Sequence, residues 1–328
     1  MSHIWGRPAS RPDGGWAVID VETTGFRPGS ARVISLAALG LDAAGRVEKS
    51  AVSLLNPGVD PGPTHVHGLT AAMLEDQPQF TDIVGDVADV LRGRTLVAHN
   101  VSFDYSFLAA EAEIAGVELP VDSVMCTLEL ARRLDLGLGN LRLETLAAHW
   151  GVTQDRPHDA FDDAMVLTGV LAGALECARE LDVWLPVRPV TRRRWPNGRV
   201  THDELRPLKA LAARMPCPYL NPGQFVRGRP LVQGMRVALA AEVGRTHEEL
   251  VERILHAGLA YSDEVDGQTS VVVCNEPAPK QGKGYHARQL GVPVVSDAQF
   301  IDSVGSVVAG RTMEEFAGTA AEQQLALF

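Results

Sequence analysis

Trp16-Ala17-Val18-Ile19-Asp20-Val21-Glu22-Thr23-Thr24 is a β-branched, apolar run that turns acidic at its end. Such a run reads as a buried strand. Strand side chains alternate faces, so residues two apart point the same way. Asp20 and Glu22 therefore converge on one small volume, beside Thr23-Thr24-Gly25, where the backbone turns. Like charges held together out of water repel strongly unless a cation sits between them. The pair suits a divalent metal, although an Asp-x-Glu at a strand end is a weak signal alone.

Working outward, Arg32–Leu41 reads as a second strand running to the turn-like Asp42–Gly45, and Val47–Leu55 as a third. Leu96–His99 reads as a short buried strand. Val101–Gly116 has helical spacing at Phe103, Phe107, Ala110 and Ile114, with a glycine stop. Leu141–Gly151 and Ala160–Leu181 are two further helices. Three strands followed by strand–helix alternation predict an α/β domain ending near residue 184.

Asp104 falls in the first turn of the helix after Ala98-His99-Asn100, where an acid also favours the helix dipole. His158 and Asp163 are five residues apart, which on one helix leaves them roughly 140° apart. They share a cleft only if His158 stands on the loop before the helix. Asp159, with Asp162 three residues on, is the expected N-cap, which places the helix start there. A phosphohydrolase built on His158-Asp159 lacks a matching set of further histidine ligands.

Taken in order, Asp20-x-Glu22-Thr23-Thr24-Gly25, His67-Gly68-Leu69-Thr70, Ala98-His99-Asn100-x-x-Phe103-Asp104, and His158 with Asp163 resemble the DEDDh exonucleases, which include the proofreading epsilon subunit of bacterial DNA polymerase III. The resemblance covers about residues 14–180. It implies an RNase H-like mixed sheet whose first three strands are antiparallel, and metal-dependent 3′→5′ removal of nucleotides. It further implies Asp20, Glu22, Asp104 and Asp163 as ligands of two divalent cations, Mg²⁺ or Mn²⁺, with His158 as general base. Asp20 would bridge the cations. Thr23, Thr24, His67, His99, Asn100 and Phe103 would lie along the substrate. Many relatives carry Glu in the second strand where Ser35 stands here.

Composition bounds the rest. At 328 residues the chain predicts two domains, and 45% hydrophobic with 22% charged residues is ordinary for a soluble protein. No apolar run approaches a membrane span and the N-terminus lacks the apolar stretch of a signal peptide, so a cytoplasmic, nucleoid-associated protein with no membrane partner is expected. Four separated cysteines read as reduced thiols. A net charge of −11 argues against coating nucleic acid through a basic face. It does not exclude an enzyme that holds phosphate through metal ions, whose charge inverts the local sign.

The expected organisation is a nuclease domain over 1–184, a Pro/Arg-rich linker with one short helix over 185–230, a second α/β domain over 231–312 and a tail over 313–328. The arginines of 187–199 belong either to a solvated linker or to a contact with a nucleic-acid backbone. Gly234-Met-Arg-Val-Ala-Leu, the helix ending at Ala257-Gly258, Thr269-Ser-Val-Val-Val, Lys283 and Leu290-Gly291-Val-Pro resemble a BRCT domain. That resemblance implies a parallel four-stranded sheet flanked by helices, used to bind protein partners or DNA ends. Ala240-Ala241 stands where phosphate-binding members carry a hydroxyl. The chain ends Gln324-Leu325-Ala326-Leu327-Phe328, either tucked into its own core or offered to a partner. Gln324, Leu325, Leu327 and Phe328 are similar to peptides that bind the bacterial sliding clamp. Together these readings predict a clamp-tethered exonuclease acting on 3′ ends of DNA in proofreading or repair. The alternatives are an exoribonuclease of the same superfamily and a repair scaffold with a vestigial site.

Overall fold

A computed structural model describes residues 14–312, and the chain divides between Leu205 and Arg206 into two compact units. The terminal residues Gln324, Leu325, Leu327 and Phe328 lie outside the described residues.

The first unit opens with β1 (Trp16–Thr23), β2 (Val33–Leu41) and β3 (Val47–Leu54), an antiparallel meander. Two single-turn helices, α1 (Thr64–His67) and α2 (Ala71–Leu74), precede α3 (Phe80–Leu91). Then follow β4 (Thr95–Ala98), α4 (Val101–Ala115), β5 (Ser123–Cys126), α5 (Thr127–Leu134), α6 (Leu143–His149) and α7 (Ala160–Glu180). β6 (Val187–Pro189) completes a six-stranded mixed sheet in the order β3-β2-β1-β4-β5-β6. β4 and β5 run parallel to β1, while β6 returns antiparallel to β5.

The period of two along β1 sorts its side chains between two cores. Ala17, Ile19 and Val21 join Val87, Leu91, Phe107 and Leu108 on the α3–α4 side. Trp16 and Val18 join Leu167, Val170 and Leu171 of α7 on the other. By parity Asp20 and Glu22 belong to the α7 side. β4 pairs β1 only from Trp16 to Val18, so the last turn of β1 has a strand on one edge alone among the described residues. Glu111, buried in α4, stitches that helix to the start of β2: its two oxygens accept from Arg32 Nε and Nη2 at 2.8 and 2.7 Å and from the Val33 amide at 3.0 Å.

The arginine-rich stretch departs from the expected linker. β6 belongs to the first sheet, and β7 (Arg192–Arg194) and β8 (Val200–His202) form a hairpin. Three of its arginines are taken by acids, Arg192 by Glu118 and Asp122, Arg194 by Glu118 at 2.7 Å and Arg199 by Glu113 at 3.7 Å, while Arg193 lies over the Trp195 ring at 5.3 Å. The first unit thus runs on to Leu205, beyond the expected end at 184.

The second unit takes up the remainder of the expected linker. Leu208 and Ala212 of α8 (Leu208–Ala212), with Phe225, are buried in its core. β9 (Arg236–Leu239), α9 (His247–His256), β10 (Ala260–Ser262), β11 (Val271–Val273), α10 (Gly282–Gln289), β12 (Val294–Val295) and α11 (Asp297–Val304) follow. The strands form a fully parallel four-stranded sheet, ordered β10-β9-β11-β12. Alternation again sets two faces. Val237 and Leu239 pack with Leu250 and Ile254 of α9 and Phe300 of α11, while Ala238 and Ala240 pack with Ala287 of α10. Thr246 caps α9 by accepting from the Glu249 amide, and Ser296 with Gln299 forms a capping box on α11. Among the described residues no helix is long and apolar enough to cross a membrane.

Candidate functional site

Four carboxylates from three separate elements meet at the C-terminal end of β1. Asp20 and Glu22 come from the strand itself, opposite Ala37 and Ser35 of β2. Asp104 sits in the first turn of α4 and Asp163 in the first turn of α7. Asp104 belongs to a helix on the opposite face of the sheet. It reaches the cluster because β4 has already left the edge of β1, and the Val21 amide favours its charged form.

The loop before α7 is fastened from several sides. Asp159 is the N-cap and accepts from the Asp162 amide at 3.0 Å. Asp162 accepts from the amides of Asp155 and Arg156 at 3.1 and 2.8 Å. Asp163 accepts from Gln154 Nε2 at 2.6 Å on one oxygen and from the His158 amide at 3.0 Å on the other. His158 holds a left-handed φ of 67°, costly for a residue with a Cβ, and these bonds hold it there. Its exposed ring overhangs the cluster: ligand atoms of Glu22, His158 and Asp163 lie within 4.8 Å of one another.

The electrostatics follow from crowding. Burial, then Asp104, Asp163 and Glu22, push the Asp20 carboxyl well above the ordinary range. Burial, then Asp163 and Asp159, push Glu22 up to about 8. Burial raises Asp104 to about 8, against the pull of its own and the Val21 amide. Asp163 is raised by burial, with Gln154 and His158 opposing. None of the four forms an ion pair with lysine or arginine among the described residues. A set of oxygen donors without its own counter-charge fits hard divalent cations, which supply that charge.

The remaining sequence candidates divide. His67 is buried near enough to His158 for that charge to lower its pKa, though burial contributes more, and its Nδ1 accepts from the Leu69 amide at 3.0 Å. Thr23 and Thr24 spend their hydroxyls on the turn itself: Thr23 Oγ1 donates to the Gly25 carbonyl at 2.7 Å, and Thr24 Oγ1 accepts from the Arg32 amide at 3.0 Å. His99 is turned to Thr127, with Nδ1 at 3.1 Å from its hydroxyl. Phe103 packs its ring on Phe107 at 4.8 Å between centroids. Asn100, the N-cap of α4, stands in the left-handed region at φ 71°. Gln154 was not legible as a site residue, since an isolated glutamine in a loop carries no periodicity and no motif.

A family model described as Exonuclease matches residues 17–171. The DNA polymerase III epsilon subunit of Treponema pallidum (strain Nichols) is 32% identical over 154 residues, covering 46% of this chain and 72% of that protein. The 3′-5′ exonuclease DinG of Bacillus subtilis (strain 168) is 31% identical over 169 residues, covering 51% of this chain but 18% of that protein. Exonuclease I of E. coli in complex with a dA16 oligonucleotide has 18% identity and a TM-score of 0.44, covering 51% of this chain and 41% of that one. The chain belongs to the exonuclease family, and it is a 3′-5′ exonuclease enzyme.

Proposed function

We propose that this exonuclease removes nucleotides from the 3′ ends of DNA, releasing nucleoside 5′-monophosphates with the help of two divalent cations, Mg²⁺ or Mn²⁺. Asp20, Glu22, Asp104 and Asp163 would hold the cations. The observation that carries the reading is the meeting of these four carboxylates under the His158 ring. Bound divalent cations supply a lowered pKa for water, neutralisation of the phosphate oxygens and stabilisation of the leaving 3′-oxyanion.

The chain's own part is positional and basic. His158 takes the proton of the attacking water, the general-base role that imidazole side chains fill most often. Its exposure lets it pass that proton to solvent. The Asp163–Gln154 and Asp163–His158 bonds keep base and ligand in fixed register. His67, beside His158, would face the terminal nucleotide.

The role is proofreading or repair, carried out in the cytoplasm at the nucleoid. The epsilon relative supports it. We further read the parallel four-stranded unit as BRCT-like and the terminal Gln324-Leu325-x-Leu327-Phe328 as a tether to the sliding clamp. The BRCT-like unit would bind a protein or a DNA end through contacts other than a phosphate pocket. Lys283 is already paired to Asp263 at 3.2 Å, and Ala240-Ala241 offers no hydroxyl.

Matched DNA and RNA strands with labelled 3′ ends, in Mg²⁺ or Mn²⁺, test the reading: stepwise loss from DNA is expected. Preference for RNA makes the chain an exoribonuclease, and no cleavage of either makes it a scaffold. His158→Ala is expected to bind strand normally and to lose turnover by about 10²–10⁴-fold. Near-normal turnover in that variant removes His158 as the base.

A further inference from the structure

A second feature of the first unit lies on the same edge of the sheet as the carboxylates. A cavity of about 140 Å³ is lined by Asn100 and Ser102 at the start of α4, Glu129 and Arg132 of α5, and Arg188 of β6. Neither α4 nor α5 has a side chain capping its N-terminus, so both helices bring open, partly positive ends to one place.

Side-chain charge has the same sign. Two guanidinium groups and one carboxylate line the cavity: Glu129 accepts from Arg188 Nη2 at 2.6 Å and also from Arg133 Nη2, outside the lining, at 2.7 Å, while Arg132 forms no hydrogen bond or ion pair among the described residues. Arg132 is exposed and its charge is felt at His99. Arg188 Nε is buried without a partner among the described residues. A buried guanidinium N–H left unpaired is costly.

We propose that this cavity holds a phosphate of the nucleic-acid strand, on the 5′ side of the nucleotide being removed, with Arg132 and Arg188 as its cationic contacts. The assignment rests on the exonuclease reading above. The cavity opens at the C-terminal end of β5 and the carboxylates meet at the C-terminal end of β1, and because β1, β4 and β5 run parallel both lie on one edge of the sheet, two strand spacings or ~10 Å apart. A free anion has the same chemistry as this phosphate, so the test separates the two sources.

The full chain and its Arg132→Ala, Arg132→Lys and Arg132→Glu variants are compared for binding of a labelled single strand by fluorescence anisotropy in EDTA, from low to high salt. Arg132→Ala is expected to weaken binding by about 5- to 50-fold and to lower the slope of log K against log salt by ~0.7, one phosphate contact's worth. Arg132→Lys should recover part of the loss and Arg132→Glu should exceed it. With metal present, the ratio of kcat/KM for the strand to that for thymidine 5′-p-nitrophenyl phosphate, which has no further phosphate, should fall by a similar factor.

Unchanged affinity and salt slope in Arg132→Ala overturn the proposal, as does an equal loss on strand and ester. Inorganic phosphate that stabilises the wild type but not Arg132→Ala, with strand binding unaltered, assigns the cavity to a free anion and also overturns it. Strand bound but never cut sinks the exonuclease reading and leaves the subsite standing. Strand cut equally well by Arg132→Ala does the reverse.

Discussion

Asp104→Asn should make the metal-free protein more stable and the metal-bound protein less so. Asp104 is 4% exposed, and its surroundings raise its carboxyl from 3.8 to about 8. A carboxyl raised on folding contributes stability that is fully present below its unfolded pKa and is lost as pH rises through the folded one. At pH 7 the unfolded chain carries the ionised form and the folded chain resists it. Three pH units at ~1.4 kcal/mol each set an upper bound near 4 kcal/mol on this penalty. An amide of the same shape does not ionise, and relaxation around the cluster reduces the gain to an expected 1–3 kcal/mol. For a unit of this size that is roughly 3–10 °C in Tm.

In a Trp5→Phe background the remaining tryptophans, Trp16, Trp150, Trp184 and Trp195, all belong to the first unit, so their fluorescence follows that unit. In EDTA, wild type and Asp104→Asn should melt together near pH 4 and separate steadily towards pH 8, with the variant higher. Excess Mg²⁺ or Mn²⁺ should raise the wild type by ~2.7 kcal/mol at a hundred times Kd and move the variant less. If the variant melts at or below the wild type in EDTA at pH 8, the carboxylates are not crowded in the way described.

Three other outcomes follow from separate features. Glu111→Ala strands the Arg32 guanidinium and the Val33 amide, and should cost ~3–5 kcal/mol in urea unfolding followed by tryptophan fluorescence. Gly62 holds φ +79°, and a Cβ there would stand 2.2 Å from the Thr24 carbonyl oxygen. Gly62→Ala should therefore destabilise by at least ~1–2 kcal/mol and slow turnover by shifting the bend after Glu22. The C-terminal 15-mer should bind purified clamp near micromolar, about −8 kcal/mol. Absence of binding at hundreds of micromolar ends that idea, and Phe328→Ala should weaken binding by about 1.5–3 kcal/mol.

Much of the first unit was legible because its signals are local. A period of two placed Asp20 and Glu22 on one face of β1, and the five-residue spacing put His158 on the loop outside α7. Element ends shifted by a residue or two, as at Val33 for the expected Arg32. What escaped depends on partners distant in sequence. β5 and β6 have four and three residues, too few to display a period, and exist because each finds a neighbouring strand. Arg192, Arg194 and Arg199 look like part of a solvated run until Glu113, Glu118 and Asp122 are seen opposite them. Asp104 was expected from motif order, but the route by which a helix on the far face reaches the cluster needed the sheet register.

The late arrival of β6 bears on how the gene can be cut. A fragment stopped at residue 184 would bare the hydrogen-bonding edge of β5 and leave the acids beyond α4 without their arginines. Exposed strand edges recruit one another. Such a truncation should come out of a bacterium as inclusion bodies or soluble aggregates, whereas one stopped just after Leu205 keeps that edge covered.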